Sequence, residues 1–207
     1  MDYRDSVDLS GSHTQRASGG GGGGRMALGG GIGGLVLMLL VVFVGPRLGI
    51  NVSDLLGSGS SQDTQPAVQG SDLDHCKQKD VNVNTNRECR WLLYEKVLQD
   101  YWSKTKPNYR YATVKLFSGT ISTACGVGQT EMGPFYCSGD STVYIDDSYV
   151  GQLLKQLGAS GGDAAELYIV AHEFGHHVQN LDGTMRKVTR GTGADSAQVR
   201  LELQADC

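Results

Sequence analysis

The sequence predicts an α+β domain, a small sheet packed with helices, preceded by a single transmembrane helix. Three observations carry this. Residues 26–44 contain no charged side chain. Between residues 75 and 207, short β-branched and aromatic runs alternate with segments whose apolar residues recur at helical spacing. The longest of those segments, 164–181, holds His172, Glu173 and His176 in the order His-Glu-x-x-His.

Bulk properties set the frame. A chain of 207 residues accommodates one domain of ordinary size plus extensions. Thirty glycines, well above the usual share, point to segments outside a core. A formal charge of −4 and a pI near 5.7 argue against nucleic acid as a partner, because phosphate binding needs a basic surface.

Taken in order, residues 1–25 are polar, end in the run Gly19–Gly24 and offer almost nothing to bury, so they read as a disordered cytoplasmic tail. Residues 26–45 form the expected transmembrane helix, long enough at about 1.5 Å per residue to cross the hydrocarbon layer. Arg4, Arg16 and Arg25 precede it and only Arg47 follows closely, which places the N-terminus in the cytoplasm and the rest outside. The long preceding tail and the lack of an Ala-x-Ala-like site favour an anchor over a cleaved signal peptide. Gly29-x-x-x-Gly33 and Gly30-x-x-x-Gly34 offer a weak helix-dimer face. Residues 46–74 read as a flexible linker, and 75–207 as the globular domain.

Within the domain, Thr85-x-x-Glu88 reads as a capping box opening a helix through about Trp102, with Trp91, Leu92, Val97, Leu98, Tyr101 and Trp102 toward a core. Tyr109–Phe117 alternates Ala112, Val114 and Leu116 against Tyr111, Thr113 and Lys115, the pattern of a strand. Cys125–Cys137 reads as irregular, Thr142–Asp146 as a second strand, and Val150, Leu153, Leu154 and Leu157 as a short helix. Asp163-x-x-Glu166 signals the start of the long helix, and Gly183 its end. Residues 183–195 read as a polar loop. A last helix runs from about Ser196 to Cys207 with no stop signal, so the domain is expected to be incomplete at its C-terminus.

All five cysteines follow residue 75, on the side expected to be oxidising. Cys76, Cys89, Cys125 and Cys137 allow three pairings; proximity favours 76–89 and 125–137. A structural zinc site of four thiolates is the rival, weakened by the lack of any Cys-x-x-Cys pair.

On a helix His172 and His176 share one face and can grip a single ion, while Glu173 projects about 100° further round, beside it. One zinc ion per chain is therefore expected, with Glu173 taking a proton from its water. A catalytic zinc needs a third protein ligand. His177 points away and reads as a supporting or surface residue. Glu202 and Asp206, four apart on the last helix with Val199 and Leu203, place two carboxylates on a face expected to turn inward, which is costly unless they are paired or metal-bound. Glu202 is thus the candidate third ligand and Asp206 the acceptor from a ligand imidazole. Thr142–Asp146 is the candidate sheet edge for an extended peptide.

Ser122-Thr-Ala-Cys-Gly126, Gly133-Pro-Phe-Tyr-Cys137, Val143-Tyr-Ile-Asp146, His172-Glu-Phe-Gly-His-His-Val-Gln179 and Glu202-Leu-Gln-Ala-Asp-Cys207 together resemble the bacterial neutral zinc metallopeptidase family. The resemblance implies a zincin-like fold, a membrane anchor, His172, His176 and Glu202 as zinc ligands, and Glu173 as the catalytic group. It also implies a structural role for the paired cysteines at 125 and 137. Ser138-Gly139 departs from the family's usual Pro there, and members continue well past the position of Cys207. The expected function is a single-pass, membrane-anchored zinc endopeptidase, its catalytic domain extracytoplasmic and its substrate a peptide or protein. The alternative is a non-catalytic tethered binding protein that keeps a structural zinc.

Overall fold

The computed structural model describes residues 3, 7–17, 73–79, 81–156, 158, 162–188 and 193–207. Their centre is a four-stranded sheet in the order β1 (Thr14–Arg16), β2 (Thr113–Phe117), β6 (Thr142–Asp146), β5 (Phe135–Cys137). β1, β2 and β6 run parallel, and β5 runs antiparallel to β6. A separate hairpin, β3 (Thr120–Thr123) and β4 (Gly126–Gln129), stands beside it.

Alternation along the strands divides the interior in two. Val114, Leu116, Val143, Ile145 and Tyr136 join the main core with helix α1 (Arg87–Thr105) and helix α3 (Asp163–Leu181), through Trp91, Leu92, Tyr94, Val170 and Phe174. Phe117, Tyr144, Phe135 and Cys137 form a smaller cluster on the opposite face, with Ile121 of the hairpin packed against it. Because β6 is covered on both faces, all five of its residues are buried. Helix α2 (Asp147–Gln156) follows β6 directly and turns Val150, Leu153 and Leu154 inward.

Several expected boundaries move for identifiable reasons. Asn86 rather than Thr85 caps α1, its side chain accepting from the Cys89 amide. The strand expected from Tyr109 starts at Thr113, because the buried Gln99 amide takes both backbone groups of Ala112. In α1 the buried face is Trp91–Glu95 with Gln99, leaving Val97 and Tyr101 exposed. Gly162, not Asp163, caps α3; Glu166 instead turns into the core, accepting from Arg87 Nε at 2.7 Å and Tyr94 Oη at 3.2 Å, and so ties α3 to α1. Gly183, at φ 70°, follows the end of α3 in the left-handed conformation that suits glycine, and the short helix α4 (Thr184–Lys187) comes next, where a loop was expected. The last helix is α5, Ala197–Ala205, capped by the Ser196 side chain.

The cysteines pair as Cys76–Cys89 and Cys125–Cys137, with Cα separations of 5.2 and 5.8 Å. In the chain-entropy picture each closes a loop worth about 3 kcal/mol. The first staples the turn at Leu73–Lys77 to α1; the second joins the β3–β4 turn to β5. Pairing in this way uses the four thiols that a structural zinc would need.

The N-terminal segment requires the largest correction. Residues 1–25 were expected as a disordered cytoplasmic tail, yet Thr14–Arg16 is an edge strand of the main sheet, and the Ala17 amide donates to Leu116 O at 2.8 Å. Leu9 is 1% exposed within the core. Ser12 Oγ and the His13 amide donate to buried Glu95, and Arg16 pairs with Glu88. A single crossing at 26–45 would put β1 and β2 on opposite sides of a hydrocarbon layer about 30 Å thick. Hydrogen-bonded neighbours cannot be separated in that way. The expected transmembrane helix, and the single-pass location with the domain on the far side, are therefore corrected: no helix of the described residues is long and apolar enough to cross a membrane. The segment 26–45 itself, with its glycine pairs and most of the linker expected at 46–74, lies outside the described residues. The α+β domain with its small sheets stands.

Candidate metal centre

Helix α3 brings His172 and His176 onto one face, their rings 4.7 Å apart and nearly perpendicular at 85°. Helix α5 lies across that face and delivers Glu202 between them. Glu202 Oε2 sits 3.3 Å from His172 Nε2 and 3.1 Å from His176 Nε2. Gly175, on the same side of α3, permits the approach: a Cβ there would lie 2.6 Å from Ala205 O and 2.8 Å from Ala205 Cα. The inward face of α5 is Leu201, Glu202 and Ala205; Leu203, expected to turn in, is 60% exposed.

The far side of each imidazole fixes its orientation. His172 Nδ1–H donates to Asp206 Oδ1 at 2.8 Å, and Tyr168 Oη donates to the same oxygen at 2.7 Å. His176 Nδ1–H donates to Gln179 Oε1 at 2.9 Å. Both rings then present the Nε2 lone pair to the centre, where Glu202 presents a carboxylate oxygen. Among the described residues, His172 Nε2, His176 Nε2 and both Glu202 oxygens are buried and face no hydrogen-bonding group other than one another. Converging lone pairs repel one another unless positive charge, a proton or a metal ion, lies among them.

A tetrahedral zinc with bonds of about 2.0–2.1 Å would separate its ligand atoms by about 3.3 Å. The separations of 3.1 and 3.3 Å match that, and all three residues offer ligand atoms mutually within 4.8 Å. Two nitrogens and one oxygen also suit zinc chemically. The residues fit the ion.

The electrostatics lead to the same place. Burial works to lower His172, but the carboxylates of Glu202, Glu173 and Asp206 outweigh it and lift it to about 9. His176 is raised likewise, burial again being overcome by Glu202 and Glu173. Burial works to raise Glu202, and its contacts with the two imidazoles hold it below the ordinary carboxylate range. The cavity draws in positive charge.

Glu173 stands beside the three and is itself buried, its Oε2 without a hydrogen-bond partner among the described residues. Burial pushes its carboxyl up, with the charges of His176 and His172 and the nearby backbone amide of Tyr136 in β5 opposing. His177 is fully buried on another side of α3. Its Nε2–H donates to Arg110 O at 2.7 Å, and its Nδ1 accepts from Tyr136 Oη at 2.9 Å, which in turn accepts from Asn180 Nδ2. Burial lowers its pKa, so it packs neutral, a structural pin between α3, β5 and the chain before β2.

The structure thus brings together His172, Glu173, His176, Glu202 and Asp206. Cys76, Cys89, Cys125 and Cys137 belong to the two disulfides and take no part. Tyr168, Gly175 and Gln179 escaped the sequence reading. Tyr168 and Gln179 carried the one available signal, lying four before His172 and three after His176, at the spacing of helical neighbours.

A family model described as "Putative neutral zinc metallopeptidase" matches residues 1–207. The chain is 40% identical over 163 residues to a protein of Mycobacterium tuberculosis (strain ATCC 25618 / H37Rv) named only as uncharacterized, covering 77% of this chain and 55% of that protein. It is 37% identical over 180 residues to Uncharacterized protein YpfJ of Escherichia coli (strain K12), covering 83% of this chain and 60% of that protein. The chain therefore spans little more than half the length of these relatives. No solved structure matches it.

Proposed function

This chain belongs to the neutral zinc metallopeptidase family, and from that premise we propose that it is a zinc-dependent endopeptidase acting through His172, His176, Glu202 and Glu173. The observation that carries the reading is the set of buried, unpartnered atoms that converge on one point: two imidazole nitrogens and a carboxylate, with a second carboxylate beside them. His172, His176 and Glu202 would hold the ion, leaving a coordination position for water. Zinc held there supplies Lewis-acid chemistry, activating water near neutral pH and polarising a scissile carbonyl.

The protein's own groups do the rest. Glu173 accepts the water's proton and returns it to the leaving amine, as general base and then general acid. Burial makes its carboxyl more basic than usual. Asp206 and Gln179 hold the two imidazoles with Nε2 forward. An extended peptide would add to the sheet at β5. Thr142–Asp146, the edge expected from sequence, is interior, lying between β2 and β5. β5 borders the sheet and packs against α3, the helix that carries Glu173, so a strand added along it would run beside that helix.

A purely structural zinc would leave the buried, unpartnered Glu173 oxygen without a use, at a desolvation cost of about 1–3 kcal/mol. That favours catalysis over passive binding. The test is cleavage of an unstructured protein by the full chain and by Glu173→Gln. The substitution is expected to leave zinc content unchanged and to slow cleavage by about 10²- to 10⁴-fold. Zinc-loaded wild type that cleaves no faster than the variant would refute the catalytic reading.

A further inference from the structure

The centre draws its ligands from two helices that do not follow one another in the chain, so something must hold α5 in register with α3. One buried side chain of α3 bonds both to a candidate ligand imidazole and to the backbone of α5. Gln179, buried on α3, accepts through Oε1 from His176 Nδ1 at 2.9 Å. Through Nε2 it donates to Leu201 O at 2.6 Å and to Gln204 Oε1 at 3.1 Å, both on α5. Leu201 is the residue immediately before Glu202.

We propose that Gln179 is a positioning residue that couples two zinc ligands, setting the tautomer of His176 and the seat of Glu202 with one carboxamide. The inference rests on the zinc reading above. An amide suits the task because its two ends differ: the oxygen can only accept and the nitrogen only donate. The partners require that asymmetry. A backbone carbonyl on α5 demands a donor, and a ring nitrogen that must keep its proton demands an acceptor. A carboxylate in its place would meet Leu201 O with a second acceptor, and an apolar side chain would serve neither. The effect reaches Glu202 through the backbone: losing the bond to Leu201 frees the turn of α5 on which that carboxylate stands. Asp206, the C-cap residue of α5, also ties that helix to α3, but through His172 rather than His176.

The experiment measures zinc affinity of the full chain by chelator competition for wild type, Gln179→Met, Glu202→Gln and the double variant, with the visible spectrum of the cobalt-substituted proteins. Gln179→Met is expected to weaken zinc about 10- to 100-fold. It should also shift the cobalt spectrum toward that of Glu202→Gln, which a merely structural residue would not do. In the Glu202→Gln background the same replacement should cost clearly less, since part of its effect passes through Glu202. Should Gln179→Met lack a cooperative melting transition, Gln179→Asn replaces it: it keeps the carboxamide but is one methylene too short to reach both partners, and the same losses are expected. A single-variant affinity within twofold of wild type, or full additivity of the two losses, would overturn the coupling. A wild type that binds no zinc would instead overturn the zinc reading.

Discussion

Replacing Gly175 by alanine separates holding the fold from holding the metal. The added Cβ would meet the backbone of Ala205 at 2.6 Å, where ordinary contact starts at 3.4 Å. Backbone cannot rotate away as a side chain can, so α5 must retreat from α3 by about 0.8 Å, the difference between those distances. Zinc sites tolerate ligand displacements of about 0.2 Å, so Glu202 would leave bonding range of a site still defined by His172 and His176. The fold suffers less. Overpacking costs about 1–3 kcal/mol, and alanine returns about 1 kcal/mol over glycine inside a helix. In chelator, Gly175→Ala should therefore lower stability by only about 0–2 kcal/mol, read by urea denaturation. Zinc affinity should fall at least about tenfold, which at a fixed excess of zinc removes about 1.4 kcal/mol of metal-linked stabilisation. Zinc affinity within twofold of wild type would show that α5 is not seated on Gly175, and the account of how Glu202 reaches the imidazoles would fail.

Two further perturbations probe the frame around the centre. Leu9→Ala should cost about 2–4 kcal/mol in urea denaturation, because the leucine is buried in the main core; an unchanged midpoint would mean that the N-terminal segment does not dock. Tyr136→Phe leaves the buried Nδ1 of His177 without a donor and should cost about 1–3 kcal/mol, checked in the same way. A loss under about 0.5 kcal/mol would remove the Asn180–Tyr136–His177 chain from the list of what holds β5 to α3.

What could be read from sequence was what local spacing encodes. His172, Glu173 and His176 fall within one helical turn, and Glu202 and Asp206 are a single i, i+4 pair, so each group declares its geometry without knowledge of the fold. Leu203 misled because it was judged by hydrophobicity; α5 rests on Gly175 through Ala205, and that contact turns Leu201 and Glu202 inward instead. Gln179 and Gly175 have roles only where two distant helices meet, and nothing beside them in the chain marks this. β1 and β5, three residues each, are too short to establish an alternation, and β1 lies in a stretch whose composition resembles a disordered tail. The charge-free run at 26–44 was read as a membrane span because a hydropathy pattern cannot register that the segment before it is hydrogen-bonded to the sheet after it.

That pairing gives the N-terminal segment an unusual standing. Residues 7–17 are attached to the domain twice, once covalently through 18–72 and once through Leu9, the ladder to β2 and the Arg16–Glu88 ion pair. In effect the segment is a tethered ligand of its own domain, its occupancy governed by the effective concentration that the tether confers. Cutting the chain between Ala17 and Leu73 would abolish that concentration while leaving the contacts of Leu9, β1 and Arg16 themselves unchanged. The strand could then leave, and the exposed edge of β2 would be open to any extended chain of suitable pattern.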